Sequence, residues 1–411
     1  MVTKQAVILV GGKGTRLGAL AAATPKPLMA IDEDMVFLDL LLFEIARHGF
    51  QDILLLAGHL ADKIAQRYDG RSIHGAAVRV IVESVPAGTA GALKNAEPLL
   101  DPIFLLVNGD TLFDVNLRRL TALIESDPNL MGALALRRTS NASRYGSVVT
   151  ENGYVVAFHE KQCGAGAALI NGGVGVFRRE ILGCVGEWPS SMELNVYPRL
   201  AKARTLAGAE FEGYFIDIGT PDSLFEARRD LSARRRPAVF FDRDGVLNRD
   251  FGYSHRAEEF DWIPGAIEAI RCVNDSGGLV IVVTNQSGVG RGLFRIEDVQ
   301  RFHTAMSEQL AAAGAHIDAF YFCPYHPEAI DIEWRHPDHP DRKPNPGMIL
   351  QALEDWPIDV AMSFLVGDKE SDVEAARRAG IRGLLFPGGD LYESIRPEIE
   401  RVAERHARAK S

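Results

Sequence analysis

At 411 residues, 46% hydrophobic and 24% charged, the chain has the composition of a globular protein and is too long for a single core, so two domains are expected. A formal net charge of -10 argues against a general binder of nucleic acid or anionic membrane, and no apolar run approaches bilayer length. Cys163, Cys184, Cys272 and Cys323 lie far apart with no CxxC pair, which fits a reducing cytosol; a cytoplasmic protein acting on small molecules is expected, with no nucleic-acid or membrane partner and with a homo-oligomer left open.

The opening stretch could pass for a signal sequence, but its apolar core, Ala6 to Val10, is short and ends in glycines, so it predicts a strand. Further strands are expected at "DILLLA", "VRVIVE" and "IFLLVNGD", with helical spacing in "VFLDLLLFEIARHG" and "TAGALKNAEPLL" between them. Such alternation predicts an α/β fold with a largely parallel sheet. It stops at "SARRRP", Ser232 to Pro237, and restarts with "AVFFDRDG", "LVIVVTNQSG", "DAFYFCP" and "SFLVGDKESD". The run marks a domain seam, giving domains at 1–231 and 237–390 and a charged surface helix in the tail, 391–411.

The first strand runs into "LVGGKGTRLG", whose glycines at 11, 12, 14 and 18 free the backbone to cradle an anion, with Lys13 and Arg16 adding charge. Neither the P-loop nor the dinucleotide spacing is present. "ATPKPL" presents Lys26 between two prolines, and Asp110 and Asp217 end strands in "VNGDTL" and "YFIDIGTPDSL". Two carboxylates delivered this way suit Mg²⁺, which takes one or two carboxylates together with substrate phosphates.

Over about its first 230 residues the chain resembles the sugar-phosphate nucleotidyltransferase family, through "GGKGTRLG", "PKPL", "ESVPAGTAGAL", "NGD", "RYGSV", "FHEK", "NGGVGVF", "SMELNVYP" and "IDIGTP" in order. The resemblance implies a mixed-sheet Rossmann-like domain in which a sugar 1-phosphate attacks the α-phosphorus of a nucleoside triphosphate and pyrophosphate leaves. Gly11, Gly12, Gly14 and Arg16 would hold the triphosphate, and Lys26 would neutralise charge near the α-phosphate. Asp110 and Asp217 would bind Mg²⁺, while Gly146, Glu160, Lys161, Asn171 and Gly173 would line the sugar phosphate. Asn195 departs from the family's SxExD pattern, which puts its local contacts in doubt. Glu83, five residues before Gly88, stands where relatives reading thymine or uracil commonly carry Gln. A carboxylate only accepts hydrogen bonds and matches the adjacent N1–H and N2–H₂ donors of guanine, so GTP is expected.

In the second half, Asp242 and Asp244 flank Arg243 at a strand end, and strand period 2 would send both carboxylates the same way. Confining two like charges raises a pKa or calls for a cation. "DRDGVLN", "VVTN", "RKP" and "GDKESD" resemble the four motifs of haloacid dehalogenase-like phosphatases, implying a second Rossmann-like domain with a parallel sheet. Asp242 would be the nucleophile and Asp244 the acid/base. Thr284 and Lys343 would grip the phosphoryl oxygens, with Asn285 binding substrate. Asp368, Asp242 and the backbone carbonyl of Asp244 would hold Mg²⁺. "TNQSGVGRG", "CPYHP" and "RKPNPGM" look most like heptose bisphosphate and histidinol-phosphate phosphatases, and Arg342 would meet a second phosphate. Relatives often carry a structural zinc here. At the matching positions this chain has Cys323, Tyr325, His339 and Asp341, with three of the four ligand types changed, so zinc is not expected, although His326 and His336 lie nearby.

Joined, the halves imply successive steps: dephosphorylation of a heptose 1,7-bisphosphate to the 1-phosphate, then coupling to a nucleotide. The alternatives are a hexose (mannose) 1-phosphate guanylyltransferase joined to another phosphatase, such as one for histidinol phosphate, or a catalytically dead nucleotide-sugar-binding protein.

Overall fold

The computed structural model describes residues 2–409 except 13, 19, 141–145, 160–166 and 187, and the side chains of the last helix as far as Val402. Lys13, Glu160 and Lys161 therefore lie outside the described residues, as does Cys163. The chain forms two compact units, Met1–Ala233 and Arg234–Ser411.

In the first unit the described residues form a ten-stranded sheet. Its order is Ser72–Ile73, Ala76–Val82, Asp52–Ala57, Gln5–Leu9, Ile103–Asn108, Ala168–Arg178, Gly132–Thr139, Leu206–Glu210, Tyr154–His159, Ser147–Glu151. Gln5–Leu9 runs parallel to both its neighbours, whereas Ala168–Arg178 runs antiparallel to Ile103–Asn108, so the sheet is mixed. The continuous apolar runs follow from burial on both faces. Along Asp52–Ala57, Ile53 and Leu55 enter one core while Leu54 and Leu56 enter the other. The helix Phe37–Arg47 packs Phe37, Leu38, Leu41, Leu42 and Ile45 on the first face, and Gly88–Asn95 packs Ala90 and Leu93 on the second. A two-stranded ribbon pairs Phe215–Asp217 with Thr111–Phe113 and sets Asp217 opposite Thr111, next to Asp110 in the chain.

The second unit is a five-stranded sheet ordered Ala319–Cys323, Leu279–Asn285, Ala238–Phe241, Phe364–Gly367, Arg382–Leu385. Every pairing in it is parallel. Val239 and Phe241 enter one core and Ala238 and Phe240 the other. Parallel strands put all their carboxyl ends on one edge, so the loops after residues 241, 285 and 367 converge there. Within the arginine run Arg236 is buried: its N–H donates to Pro357 O and its guanidinium to Gly277 O. The tail is not only a surface helix. Leu391–Ala409 buries Leu391, Ile395, Ile399 and Val402 in the second unit's core, because residues four, four and three apart share one helical face. Among the described residues no helix is long and apolar enough to cross a membrane.

Candidate active sites

In the first unit, Gly11, Gly12, Lys26, Glu83, Gly88 and Asp110 line one cleft of about 530 Å³, beside Asn108, Thr89 and Glu193. Lys26 Nζ lies 2.7 Å from Asp110 Oδ2, the lysine nearly buried and the carboxylate partly open. Gly14, in the left-handed region at φ +62°, packs against the lysine stem; a Cβ there would come 3.0 Å from Lys26 Cγ. The glycine thus shapes the path of Lys26, and it is not part of the cleft wall.

Asp217 stands behind this pair. Its carboxyl is pushed above the usual range by burial and then by the negative charge of Asp110, with Lys26, the Gly219 N–H and Arg16 opposing. The Gly219 N–H donates to Asp217 Oδ1 at 2.6 Å, and a Cβ on Gly219 would meet both Asp217 Oδ1 and Arg16 Nη2 at under 3 Å. Two mutually repelling carboxylates, only one of them paired with the lysine, fit a divalent cation, which would relieve the repulsion.

Glu83 reaches the cleft because position 58 is glycine: a Cβ there would stand 2.8 Å from Glu83 Oε2. Half-burial raises its carboxyl pKa. Gly88, at φ +76°, admits Ser190, whose carbonyl would lie 2.4 Å from an added Cβ and accepts the Ala90 N–H. The departure at Asn195 is absorbed locally, since Asn195 Oδ1 accepts the Ser191 N–H at 2.8 Å, which an amide oxygen does as well as a carboxylate. Asn171 Oδ1 accepts the Gly173 N–H, and Gly146 borders His159; neither they nor Arg16 and Asp217 line the cleft. Glu193 and Asn108 were legible as parts of quoted motifs, yet nothing in their spacing singled them out.

In the second unit, Asp242 follows its strand directly and is buried, as is Lys343. Lys343 Nζ lies 2.8 Å from Asp242 Oδ1 and 2.7 Å from Asp372 Oδ1. Burial drives the Asp242 carboxyl upward, against the pull of Lys343 and with further pushes from Asp372 and Asp244. The two carboxylates in turn hold the Lys343 ammonium charged despite its burial. Asp242, Asp368 and Asp372 place carboxylate oxygens within 4.8 Å of one another, and Asp368 Oδ1 is buried with no hydrogen-bond partner among the described residues. An orphaned acceptor in a cluster with more carboxylates than lysines is what a divalent cation would complete. Gly245, at φ +92°, permits this, since a Cβ would come 2.6 Å from Asp368 Oδ2. Asp372 was missed, although it ends the quoted "GDKESD"; its place in the first turn of Glu370–Arg378 resembled an ordinary cap, and its Oδ2 does accept the Lys369 N–H.

The Asp244 carboxylate is held by Arg243, Asn248 and Gln286. Thr284 Oγ1 accepts from Gln286 Nε2 at 2.9 Å. Asn285 differs from its expected place: its amide donates to Lys343 O and accepts from Lys343 N–H, both at 3.1 Å, so it braces the lysine backbone. Arg342 is half-buried and donates to Tyr325 O; burial, and to a lesser degree Arg291, lowers its pKa. Where relatives' zinc ligands would sit, Tyr325 stacks on His339 with centroids 3.6 Å apart, and His336 meets His339 edge-on.

Comparison with known proteins assigns both halves. The nucleotidyl transferase family model matches residues 5–234, more than half of the chain, and a HAD-hydrolase-like model matches residues 341–404. A D-glycero-beta-D-manno-heptose-1,7-bisphosphate 7-phosphatase of Rhodopseudomonas palustris is 46% identical over 176 residues, covering 42% of this chain and 97% of that protein. The enzyme of the same description from Escherichia coli K12 is 40% identical over 174 residues, covering 42% and 88%. Among solved structures, HddC from Yersinia pseudotuberculosis aligns with 56% of this chain and 99% of its own at 29% identity and a TM-score of 0.49.

Proposed function

Because this chain belongs to the nucleotidyl transferase family over residues 5–234 and, in its second unit, to the heptose-1,7-bisphosphate 7-phosphatases, we propose that it makes a nucleotide sugar in two steps. The second unit removes the 7-phosphate of D-glycero-D-manno-heptose 1,7-bisphosphate. The first unit then couples the heptose 1-phosphate to a nucleotide, GMP from GTP, with release of pyrophosphate. The observation that carries the reading is one chain holding both a cleft lined by Gly11, Gly12, Lys26 and Asp110 and a separate Asp242–Asp368–Asp372 cluster braced by Lys343.

In the phosphatase step Asp242 attacks the phosphorus, giving an aspartyl-phosphate, while Asp244 protonates the departing sugar oxygen and afterwards takes a proton from water. Lys343 and Thr284 hold phosphoryl oxygens, and Arg342 meets the phosphate that stays on the sugar. Asp242, Asp368 and Asp372 would hold Mg²⁺, which supplies charge neutralisation to a phosphoryl group approaching three carboxylates. In the transfer step the chain contributes position and charge: Gly11, Gly12 and Arg16 orient the triphosphate, Lys26 faces the α-phosphate, and Asp110 and Asp217 would hold Mg²⁺. Glu83 accepts from guanine. A cytoplasmic setting, where nucleoside triphosphates are made, suits both steps.

The test is a pair of single variants in the full chain. Asp242→Asn should abolish inorganic phosphate release from the bisphosphate and spare pyrophosphate release from heptose 1-phosphate with GTP; Asp110→Ala should do the reverse. Loss of neither activity would falsify the reading.

A further inference from the structure

Arg243 lies between the two aspartates in sequence, yet its side chain is fully buried, with the guanidinium carbon 4.4 Å from the centre of the Phe302 ring. Four of its five N–H groups have identified partners. Nε donates to Asp244 Oδ1 at 3.2 Å, and Nη2 donates to Asp244 Oδ2 at 2.9 Å and to Ser254 O at 2.7 Å. Nη1 stands 3.3 Å from His303 Nε2. A guanidinium has no acceptor, so His303 Nε2 must accept and the ring proton must sit on Nδ1. Burial, and then the Arg243 charge, push the His303 pKa down to about 3, which keeps that nitrogen an acceptor. The ring is itself fixed, stacked on Phe320 with centroids 4.2 Å apart, and it projects from the long helix Ile296–Ala312.

We propose that His303 is a positioning residue for dephosphorylation: acting through Arg243, it sets the orientation of the Asp244 carboxylate. The inference rests on the phosphatase reading above. In that step the bond from phosphorus to the sugar oxygen breaks, its electron pair stays on that oxygen, and the oxygen takes the proton carried by Asp244. The direction of Asp244 therefore matters in proportion to how much the leaving group needs a proton. Without an acceptor at 303, Arg243 keeps a buried unpaired N–H and is free to swing toward another oxygen, taking one side of the Asp244 clamp with it. Asn248 Nδ2 and Gln286 Nε2, which also donate to Asp244 at 2.9 and 2.8 Å, would then set its direction alone.

The experiment compares two substrates of the full-length enzyme: the heptose bisphosphate, whose alkoxide needs a proton, and p-nitrophenyl phosphate, whose phenolate leaves without one. Rapid-quench measurement of leaving-group release in the first turnover isolates the step before water enters. His303→Phe, which keeps the ring stack and removes the acceptor, should slow the sugar substrate about ten-fold and p-nitrophenyl phosphate less than about two-fold. His303→Gln, with an acceptor oxygen, should recover most of the loss. Arg243→Lys, which keeps the charge and loses the fork, should show the same selectivity and decides the matter if His303→Phe does not fold. Equal slowing of both substrates, or slowing of neither, overturns the role of His303. Asp244→Asn serves as the reference: if it fails to discriminate between the substrates, the acid assignment itself falls, whereas a selective Asp244→Asn beside an unselective His303→Phe removes only the present inference.

Discussion

Lys343 and Asp242 form a buried ion pair, 2.8 Å from Nζ to Oδ1, and the same ammonium reaches Asp372 at 2.7 Å. One cation thus serves two carboxylates where water is excluded. Removing it leaves both uncompensated, which costs a protein about 3–5 kcal/mol when one partner of a buried pair is deleted. Lys343→Ala should lower stability by that order in urea unfolding of the full chain and reduce phosphate release at least about a hundred-fold. Pyrophosphate release by the first unit should persist in native conditions.

The orphaned Asp368 oxygen gives a metal prediction with a readout other than turnover. Mg²⁺ binding only the folded protein stabilises it by mass action. Saturating Mg²⁺ should raise the unfolding midpoint by several degrees, about 1–3 kcal/mol at concentrations ten to a hundred times the dissociation constant. Asp368→Asn together with Asp372→Asn should remove the second unit's share of that rise. Chelation should reverse it in the wild type.

The proposed choice of guanine rests on Glu83, which lines the first unit's cleft. Glu83→Gln substitutes an amide that donates as well as accepts, so the paired donors of guanine lose a charged acceptor. Turnover of GTP, as kcat/KM, should fall about ten- to a hundred-fold while UTP or dTTP gains or holds. A nucleoside triphosphate panel checks this, and an unchanged ranking would assign the base to other residues.

His303 makes the second unit sensitive to acid. Its pKa is about 3 in the fold and 6.5 for the free side chain, so between these values the unfolded chain carries the extra proton. Its stabilising contribution is complete above pH 6.5 and is lost as pH falls toward 3, at up to about 1.4 kcal/mol per pH unit. Urea unfolding at pH 7 and pH 4.5, followed through loss of phosphatase activity, should give a shallower acid loss in His303→Gln than in the wild type.

The chain's own order already pointed to both units and to most of the residues proposed for the chemistry, because the motifs are short contiguous segments and several of them end strands. Buried parallel strands read as apolar runs, and a polar residue that ends one is conspicuous. Thus Asp110, Asp217, Asp242, Thr284 and Asp368 were nameable before any coordinates, as was the seam near residue 233.

Tertiary structure decided what depends on strand neighbours and on helix facing. Asp217 meets Asp110 only because a two-stranded ribbon pairs distant segments, and Asp372 joins the carboxylate cluster only because its helix follows the strand Phe364–Gly367 that pairs with the Asp242 strand. Asn285 turned to the lysine backbone, Arg243 became a buried clamp, and the charged tail buried an apolar stripe. Local pattern fixes which residues sit at the end of an element. Where a side chain turns is set by hydrogen-bond partners and packing far away in sequence, and no local pattern carries those.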